Sequence, residues 1–267
     1  MKPIHRLKEG IDYDEKNKTV SFNPAHENNV DTSEINNPTH STKYGDGVEV
    51  WSIFARKSNF TYNKDGNPLL YAFKRESGWK FKSEQDREAI VAQMDKIIAK
   101  YLQAHSFDAM VIIPSGNRLN FFIADRIQAQ APQVTEITDL IQKRTWEEVD
   151  EMVLANKSMF RRIFRGDKFY EAYDKLKSYF YDMRMDRRGE FTYHFIKDKQ
   201  IRMAVEDTLK IDDEEIYKYS DYMNEKDVLL IDDSVAFGYT IKSACKCIKD
   251  VFTPKSISVL TLFSPIK

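Results

Sequence analysis

Cysteine is nearly absent from this chain, with only Cys245 and Cys247 present. They stand two apart in a stretch of helical character, so their side chains diverge, and neither a disulfide framework nor a cysteine-based zinc site is implied. Both are expected as buried or reduced thiols. The histidines, His5, His26, His40, His105 and His194, are scattered without the spacing of metal ligands. No apolar run approaches the roughly 18 residues of a spanning helix, and "MKPIHRLKEGIDYDEKNK" has no apolar core of signal-peptide type. A cytoplasmic protein without a membrane partner is therefore expected. An excess of one charge is missing too: 41 basic residues meet 42 acidic ones, for a formal charge of -1. That gives no whole-chain electrostatic case for coating nucleic acid, although a local patch is still allowed. Neither G-x-x-x-x-G-K-[ST] nor G-x-G-x-x-G occurs, which argues against a P-loop nucleotide site and a dinucleotide site.

What is there suffices for a full core: 42% of the 267 residues are hydrophobic and 13% aromatic. Up to about residue 37 the chain is rich in Asn, Asp and Lys with little periodicity, and "NNVDTSEINNPTHSTKYGDG" reads as loop. From Val48, "VEVWSIFARKSNFTY" and "LLYAFKRESGWKF" flank "NKDGNP" and predict a hairpin, an antiparallel edge or flap. Ser83 with Asp86 three residues on makes a capping-box pattern ahead of a helix whose apolar positions are Ile90, Met94, Ile97, Ile98 and Tyr101. "FDAMVII" reads as a buried strand, "PSGNR" as a turn and "LNFFIADRIQAQ" as a helix stopped by Pro132. A mostly helical stretch follows, from about residue 138 to 190, with the basic groupings "FRRIFRG" and "MRMDRRG". Then come a short strand "FTYHFI", a helix "KDKQIRMAVEDTL", an acidic stretch, a strand ending in "LLIDD", a helix to about Val251 and a last strand "SISVLTLF". Strands alternating with helices predict an α/β protein with a parallel sheet. Its expected domains are an N-terminal antiparallel β-rich appendage or hood over residues 1–82 and a core over 83–267 that carries the helical insertion.

The most informative stretch is "DVLLIDDSVAFGYTIKSACKCI". In an open α/β sheet ligands bind where loops leave the carboxyl ends of strands, and residues 228–231 would deliver Asp232 and Asp233 to that edge. Gly238 allows positive φ or close approach of a ligand, and Thr240 adds a hydroxyl at the first turn of the next helix. Free N–H groups at such a turn attract phosphate. Carboxylates accept from hydroxyls and repel bare phosphate, so the combination asks for a ligand with both, such as a ribose 5-phosphate. The same residues would also serve a purely structural turn, with the aspartates as caps. A phosphorylatable receiver domain places its paired aspartates near its start, unlike this chain.

"VLLIDDSVAFGYT" resembles the phosphoribosyl-pyrophosphate motif of the type I phosphoribosyltransferase family: an apolar run, two acidic residues, then Gly-x-Thr. The overall organisation is similar to the competence-associated amidophosphoribosyltransferase-like branch over residues 107–131 and 191–263. The resemblance implies a parallel α/β sheet of that type and 5-phosphoribosyl 1-pyrophosphate as substrate, with substrate-bound Mg2+. It implies that Asp232 and Asp233 hold the ribose hydroxyls and that Ser234, Ala236, Phe237, Gly238, Tyr239 and Thr240 wrap the 5-phosphate. Ala236 and Phe237 stand where the family usually has Thr or Ser. "VIIPSGNRLN" looks like the family's pyrophosphate loop, with Ser115, Gly116, Asn117 and Arg118 as donors and Arg118 assisting the leaving group beside Asp232 and Asp233. Lys157, Arg161, Arg162 and Arg165 of the insertion, and Lys199 and Arg202 after it, are candidates to close over pyrophosphate or to be solvated faces. Trp51, Phe60, Tyr71 and Trp79 are candidates to stack on an acceptor base or to pack in the hairpin. Three functions are compatible with these residues: phosphoribosyl transfer to a base or amine, a non-catalytic ribose-phosphate sensor, and a nucleic-acid-associated protein using "MFRRIFRG". The acceptor is not legible, and oligomeric state stays open, a homodimer among the options.

Overall fold

The computed structural model describes residues 9–26, 29–41, 48–56, 67–155, 161, 163–185, 189–192, 196, 198–205, 207–235 and 238–264. The chain divides into two compact units, one of residues 1–138, 221–238 and 253–267, the other of residues 139–220 and 239–252.

The first unit is built on a seven-stranded mixed sheet, and the protein is an α/β protein. Its strands are β3 (Val30–Asp31), β4 (Thr39–Ser41), β5 (Glu49–Arg56), β7 (Ala109–Ile112), β8 (Thr135–Ile137), β11 (Asp227–Ser234) and β12 (Ser256–Phe263). The order is β3-β5-β12-β11-β7-β8, with β4 also on β5. β5, β12, β11, β7 and β8 run parallel, whereas β3 and β4 pair antiparallel with β5. The middle strands are apolar almost without interruption because a parallel sheet is covered on both faces. Val228, Leu229, Leu230 and Ile231 are wholly buried, as are Val259, Leu260, Leu262 and Phe263. Register sets Ile231 opposite Ile112 on one side and Asp232 opposite Thr261 on the other. Thr261 Oγ1 in turn lies 2.9 Å from Ser52 Oγ on β5.

Helix α2 (Glu84–Ala104) starts where the capping pattern predicts: Ser83 Oγ accepts from the Asp86 N–H at 3.1 Å. It buries Ile90, Met94, Ile97, Ile98 and Tyr101, the set read from the periodicity. Helix α3 (Leu119–Gln128) follows β7 as expected.

The expected hairpin does not form. Its first arm is β5, which lies parallel to β12 in the main sheet. The second arm is helix α1 (Pro68–Lys74), with Asn67 Oδ1 accepting from the Leu69 N–H at 2.9 Å and Pro68 in the first turn. Asn-Pro is an N-cap and N1 pair, so "NPLLYAFK" is a helix signal that the alternation of its aromatics obscured. Arg75 ends α1 in the left-handed conformation, with φ 55°. The Lys-Asp-Gly part of the expected turn lies outside the described residues. A separate three-stranded sheet joins β1 (Gly10–Asp14), β2 (Thr19–Asn23) and β6 (Lys80–Phe81). Because β5 belongs to the main sheet, the expected boundary at residue 82 is not where the chain divides.

The second unit holds β9 (Gln142–Lys143), α4 (Trp146–Ala155), α5 (Asp167–Met185), α6 (Lys199–Ala204), β10 (Leu209–Lys210), most of α7 (Asp213–Met223) and α8 (Tyr239–Val251). It has its own core around Trp146, Val149, Leu176, Phe180 and Ile201. The helical character expected for the insertion is present, but the unit is larger than the stretch expected. Phe191, Thr192 and Ile196 are not in the strand expected of "FTYHFI", whose other residues lie outside the described ones. Cys245 is buried and Cys247 half-buried, both as free thiols. Among the described residues, no helix is long and apolar enough to cross a membrane.

Candidate functional site

The carboxyl ends of β11 and β7 lie side by side in the first unit, joined beyond the last ladder pair by Ile113 N–H donating to the Ile231 carbonyl at 3.0 Å. Asp232 is buried, 8% exposed, at the point where β11 leaves the core. Its Oδ1 accepts from the Asp233 backbone N–H at 2.9 Å, and the Asn120 amide is 3.5 Å away. Burial first, and the neighbouring Asp233 second, push the Asp232 carboxyl up to about 7. Near neutral pH it therefore carries a proton part of the time.

Asp233 faces a different environment. Its Oδ2 lies 2.7 Å from Lys74 Nζ, both side chains being mostly buried at 13% and 14% exposure. Ser115 Oγ stands 3.5 Å from the same oxygen, and Ser234 Oγ donates to Oδ1 at 2.8 Å. Burial works against the Lys74 ammonium, but attraction and hydrogen bonding from Asp233 outweigh it and hold Lys74 above its ordinary value. Lys74 is thus held as the ammonium partner of Asp233, while burial favours the protonated form of the adjacent Asp232.

The loop after β7 is organised by side chains on its own backbone. Asn117 Nδ2 donates to Ser115 Oγ at 3.0 Å, and Asn117 Oδ1 accepts from the Leu119 N–H at 2.9 Å, which starts α3. A side chain at Gly116 would meet nothing within 4 Å, so the loop opens onto free space there. Arg118 is exposed at the N-cap position and makes no capping bond. Ser115 thus comes to the acidic pair, while Gly116, Asn117 and Arg118 line a cavity of about 1100 Å³ that Lys74 also lines.

Beyond the acidic pair, Gly238 has φ 76°, a conformation that only glycine adopts without strain. Ala236 and Phe237 lie outside the described residues. Tyr239 and Thr240 open α8, which belongs to the second unit. Of the insertion's candidates, Lys157 and Arg162 are outside the described residues. Arg161 and Arg165 are exposed, with the Arg161 guanidinium 5.5 Å from the Phe169 ring. Arg202 donates to the Ile196 carbonyl. In the first unit Trp79 is buried, and Trp51 stacks at 4.3 Å on His40 and packs on Tyr101. Tyr71 is a half-buried part of the main core, so the aromatics expected for a hood are packing residues; Phe60 is outside the described set.

Three residues of this region were missed in the sequence. Lys74 sat in a stretch expected as strand. Asn120 donates to the Ile113 carbonyl at 2.7 Å, and its buried Oδ1 has no hydrogen-bond partner among the described residues. Arg56, at the end of β5, is 3% exposed. Its Nη2 donates to the Val235 carbonyl at 2.6 Å and its Nε to the Ser264 carbonyl, tying together the exits of β5, β11 and β12. Only the Asn-Pro cap signal, which places Lys74 on a helix, was available to find any of them.

Asp232 and Asp233 are hard oxygen ligands suited to a magnesium ion held mainly by phosphates. Among the described residues, no group of three or more His, Cys, Asp or Glu could hold a metal. No family model, curated protein or solved structure matches the chain.

Proposed function

We propose that the edge formed by β7 and β11 binds 5-phosphoribosyl 1-pyrophosphate with magnesium, in a sheet of type I phosphoribosyltransferase type, and transfers its phosphoribosyl group to a base or amine. The observation that carries this reading is the meeting of two separately recognised elements. The Ser115 loop and the Asp232–Asp233 pair, over a hundred residues apart, leave adjacent parallel strands with Ser115 Oγ 3.5 Å from Asp233. A ribose needs hydroxyl acceptors and a pyrophosphate needs donors and cations, and the two loops supply one each.

In this reaction the bond from the anomeric carbon to pyrophosphate breaks, pyrophosphate leaves with the electron pair, and the acceptor forms the new bond and gives up a proton. Positive charge spreads over the sugar ring in the transition state, as in glycoside chemistry. Asp232 and Asp233 orient the ribose through its hydroxyls, and Arg118 and Lys74 stabilise the departing charge. Gly238 and the loop around it seat the 5-phosphate. Magnesium carried in with the substrate beside Asp232 and Asp233 would add neutralisation of the leaving group.

Isothermal titration with phosphoribosyl pyrophosphate and magnesium should give saturable heat that the Asp232→Asn, Asp233→Asn double variant loses. Absence of heat from the wild-type chain would sink the site assignment. The second reading, a sensor that binds the sugar phosphate without transferring it, is favoured by the Lys74 ammonium already held at 2.7 Å on Asp233. Binding without pyrophosphate release, whichever base or amine is offered, would select it.

A further inference from the structure

The cavity of about 1100 Å³ beside the acidic pair is larger and more basic than a pyrophosphate requires. It is bounded by α1, the turn into β6, the first turn of α2 and the loop before α3, all in the first unit. Lys74, Arg75, Lys80, Lys82, Arg87 and Arg118 line it, and Glu84 is the only carboxylate among the described residues that do. Arg87 pairs with Glu84 at 2.6 Å and Lys74 with Asp233. Among the described residues Arg75, Lys80, Lys82 and Arg118 form no ion pair, and all four are exposed. Clustered cations repel one another, so they store a demand for an anion.

The inner wall of the cavity has a different chemistry. Phe73, Phe81 and Phe122 are half-buried and pack together, Phe73 edge-on to Phe81 at 5.1 Å and tilted on Phe122 at 6.0 Å. The Arg87 guanidinium lies 5.8 Å from the centre of the Phe122 ring. Aromatic faces backed by a guanidinium suit a planar ring system, which can stack on them. Lysines and arginines at the rim suit phosphate. The volume of about 1100 Å³ lies just above the roughly 300–1,000 Å³ of pockets that enclose small ligands, room enough for a whole nucleotide. An acidic peptide would satisfy the rim and leave the rings uncovered; pyrophosphate alone would do the same.

We infer that this cavity is a nucleotide site, with the base on the Phe73, Phe81 and Phe122 wall and the phosphate on Arg75, Lys80 and Lys82. The ligand is a nucleoside 5′-phosphate, either free or at the end of a single strand. The site adjoins the ribose site on Asp232 and Asp233, meeting it at the Lys74 side chain and the loop at residues 116–118, while its base wall and its Arg75, Lys80 and Lys82 cations take no part in the ribose site.

The test uses the full chain at low salt and titrates the four ribonucleoside 5′-monophosphates. Ribose 5-phosphate, inorganic pyrophosphate and the unphosphorylated nucleosides are the partial ligands. At least one monophosphate should bind at least tenfold more tightly than ribose 5-phosphate and than its own nucleoside. The Lys80→Gln, Lys82→Gln variant, altered only at exposed positions, should weaken that binding at least tenfold. Phe122→Leu should weaken the nucleotide and leave pyrophosphate unchanged. The Asp232→Asn, Asp233→Asn variant should keep nucleotide binding whether or not it loses phosphoribosyl pyrophosphate, so the two proposals fail separately. A 5′-phosphorylated single-stranded oligonucleotide that binds more tightly than the monomer, with steep loss in salt, identifies a strand end as the source; equal or weaker binding identifies the free nucleotide. A monophosphate no tighter than ribose 5-phosphate, or one indifferent to Lys80 and Lys82, overturns the inference.

Discussion

The two ends of β11 carry aspartates with opposite fates. At the entry, Asp227 accepts from Lys255 Nζ at 2.7 Å and from Ser256 Oγ at 2.6 Å, and these bonds hold its carboxyl below the ordinary range. At the exit, Asp232 is shut away from water beside a second carboxylate, and burial pushes it up to about 7. Asp198 in the second unit follows the entry pattern. It is lowered first by Lys175, and it also caps α6 through the Gln200 and Ile201 N–H groups. A carboxylate whose donors sit close by, as at Asp227 and Asp198, is held in its ionised form by them. One buried with too few donors costs stability, and such strain collects where a ligand is to supply what is missing.

The sharpest way to break this contrast is to remove the cation paired with Asp233. Lys74→Met leaves Asp233 mostly buried and unpaired and should cost roughly 3 kcal/mol, the scale for breaking a buried pair. Urea unfolding at pH 7 reads this directly. Adding Asp233→Asn should restore most of the loss, as expected if the cost lies in the orphaned charge. Two independent, additive losses would show that Lys74 acts through packing instead.

A smaller effect is expected from Asp232→Asn, and it depends on pH. The folded protein binds the Asp232 proton more tightly than the unfolded chain does. The stability linked to it is complete below the unfolded value near 4 and is lost as pH rises through about 7. Asparagine does not titrate. The variant should therefore gain on the wild type in urea midpoint between pH 4 and pH 7.5, and parallel midpoints would contradict a raised Asp232. The smallest effect belongs to the entry. Lys255→Ala should leave the midpoint close to that of the wild type, and any difference should fade in high salt, because the Lys255 end of the pair is open to solvent.

Much of this architecture is legible in the residues themselves. The continuous apolar runs ending at Ile112 and Ile231 mark buried parallel strands, and Ser83 with Asp86 marks the start of α2. The acidic pair followed by Gly238 marks a strand exit and a turn that needs positive φ. Each of these signals is local, a period of burial or a backbone group to be capped.

Which strand pairs with which was not legible there. β5 reads as well as half of a hairpin as it does as a neighbour of β12, because a strand's own residues specify its burial and not its partner. The same holds for charge. Lys74 is an ordinary last-turn lysine in the sequence and becomes the counter-ion of Asp233 only when α1 is brought to the exit of β11. The sequence by itself determined that two carboxylates stand at the end of a buried strand. The tertiary structure decided that one is paired with a cation and that the proton affinity of the other is raised, because burial and the distance to a cation are properties of the assembled chain.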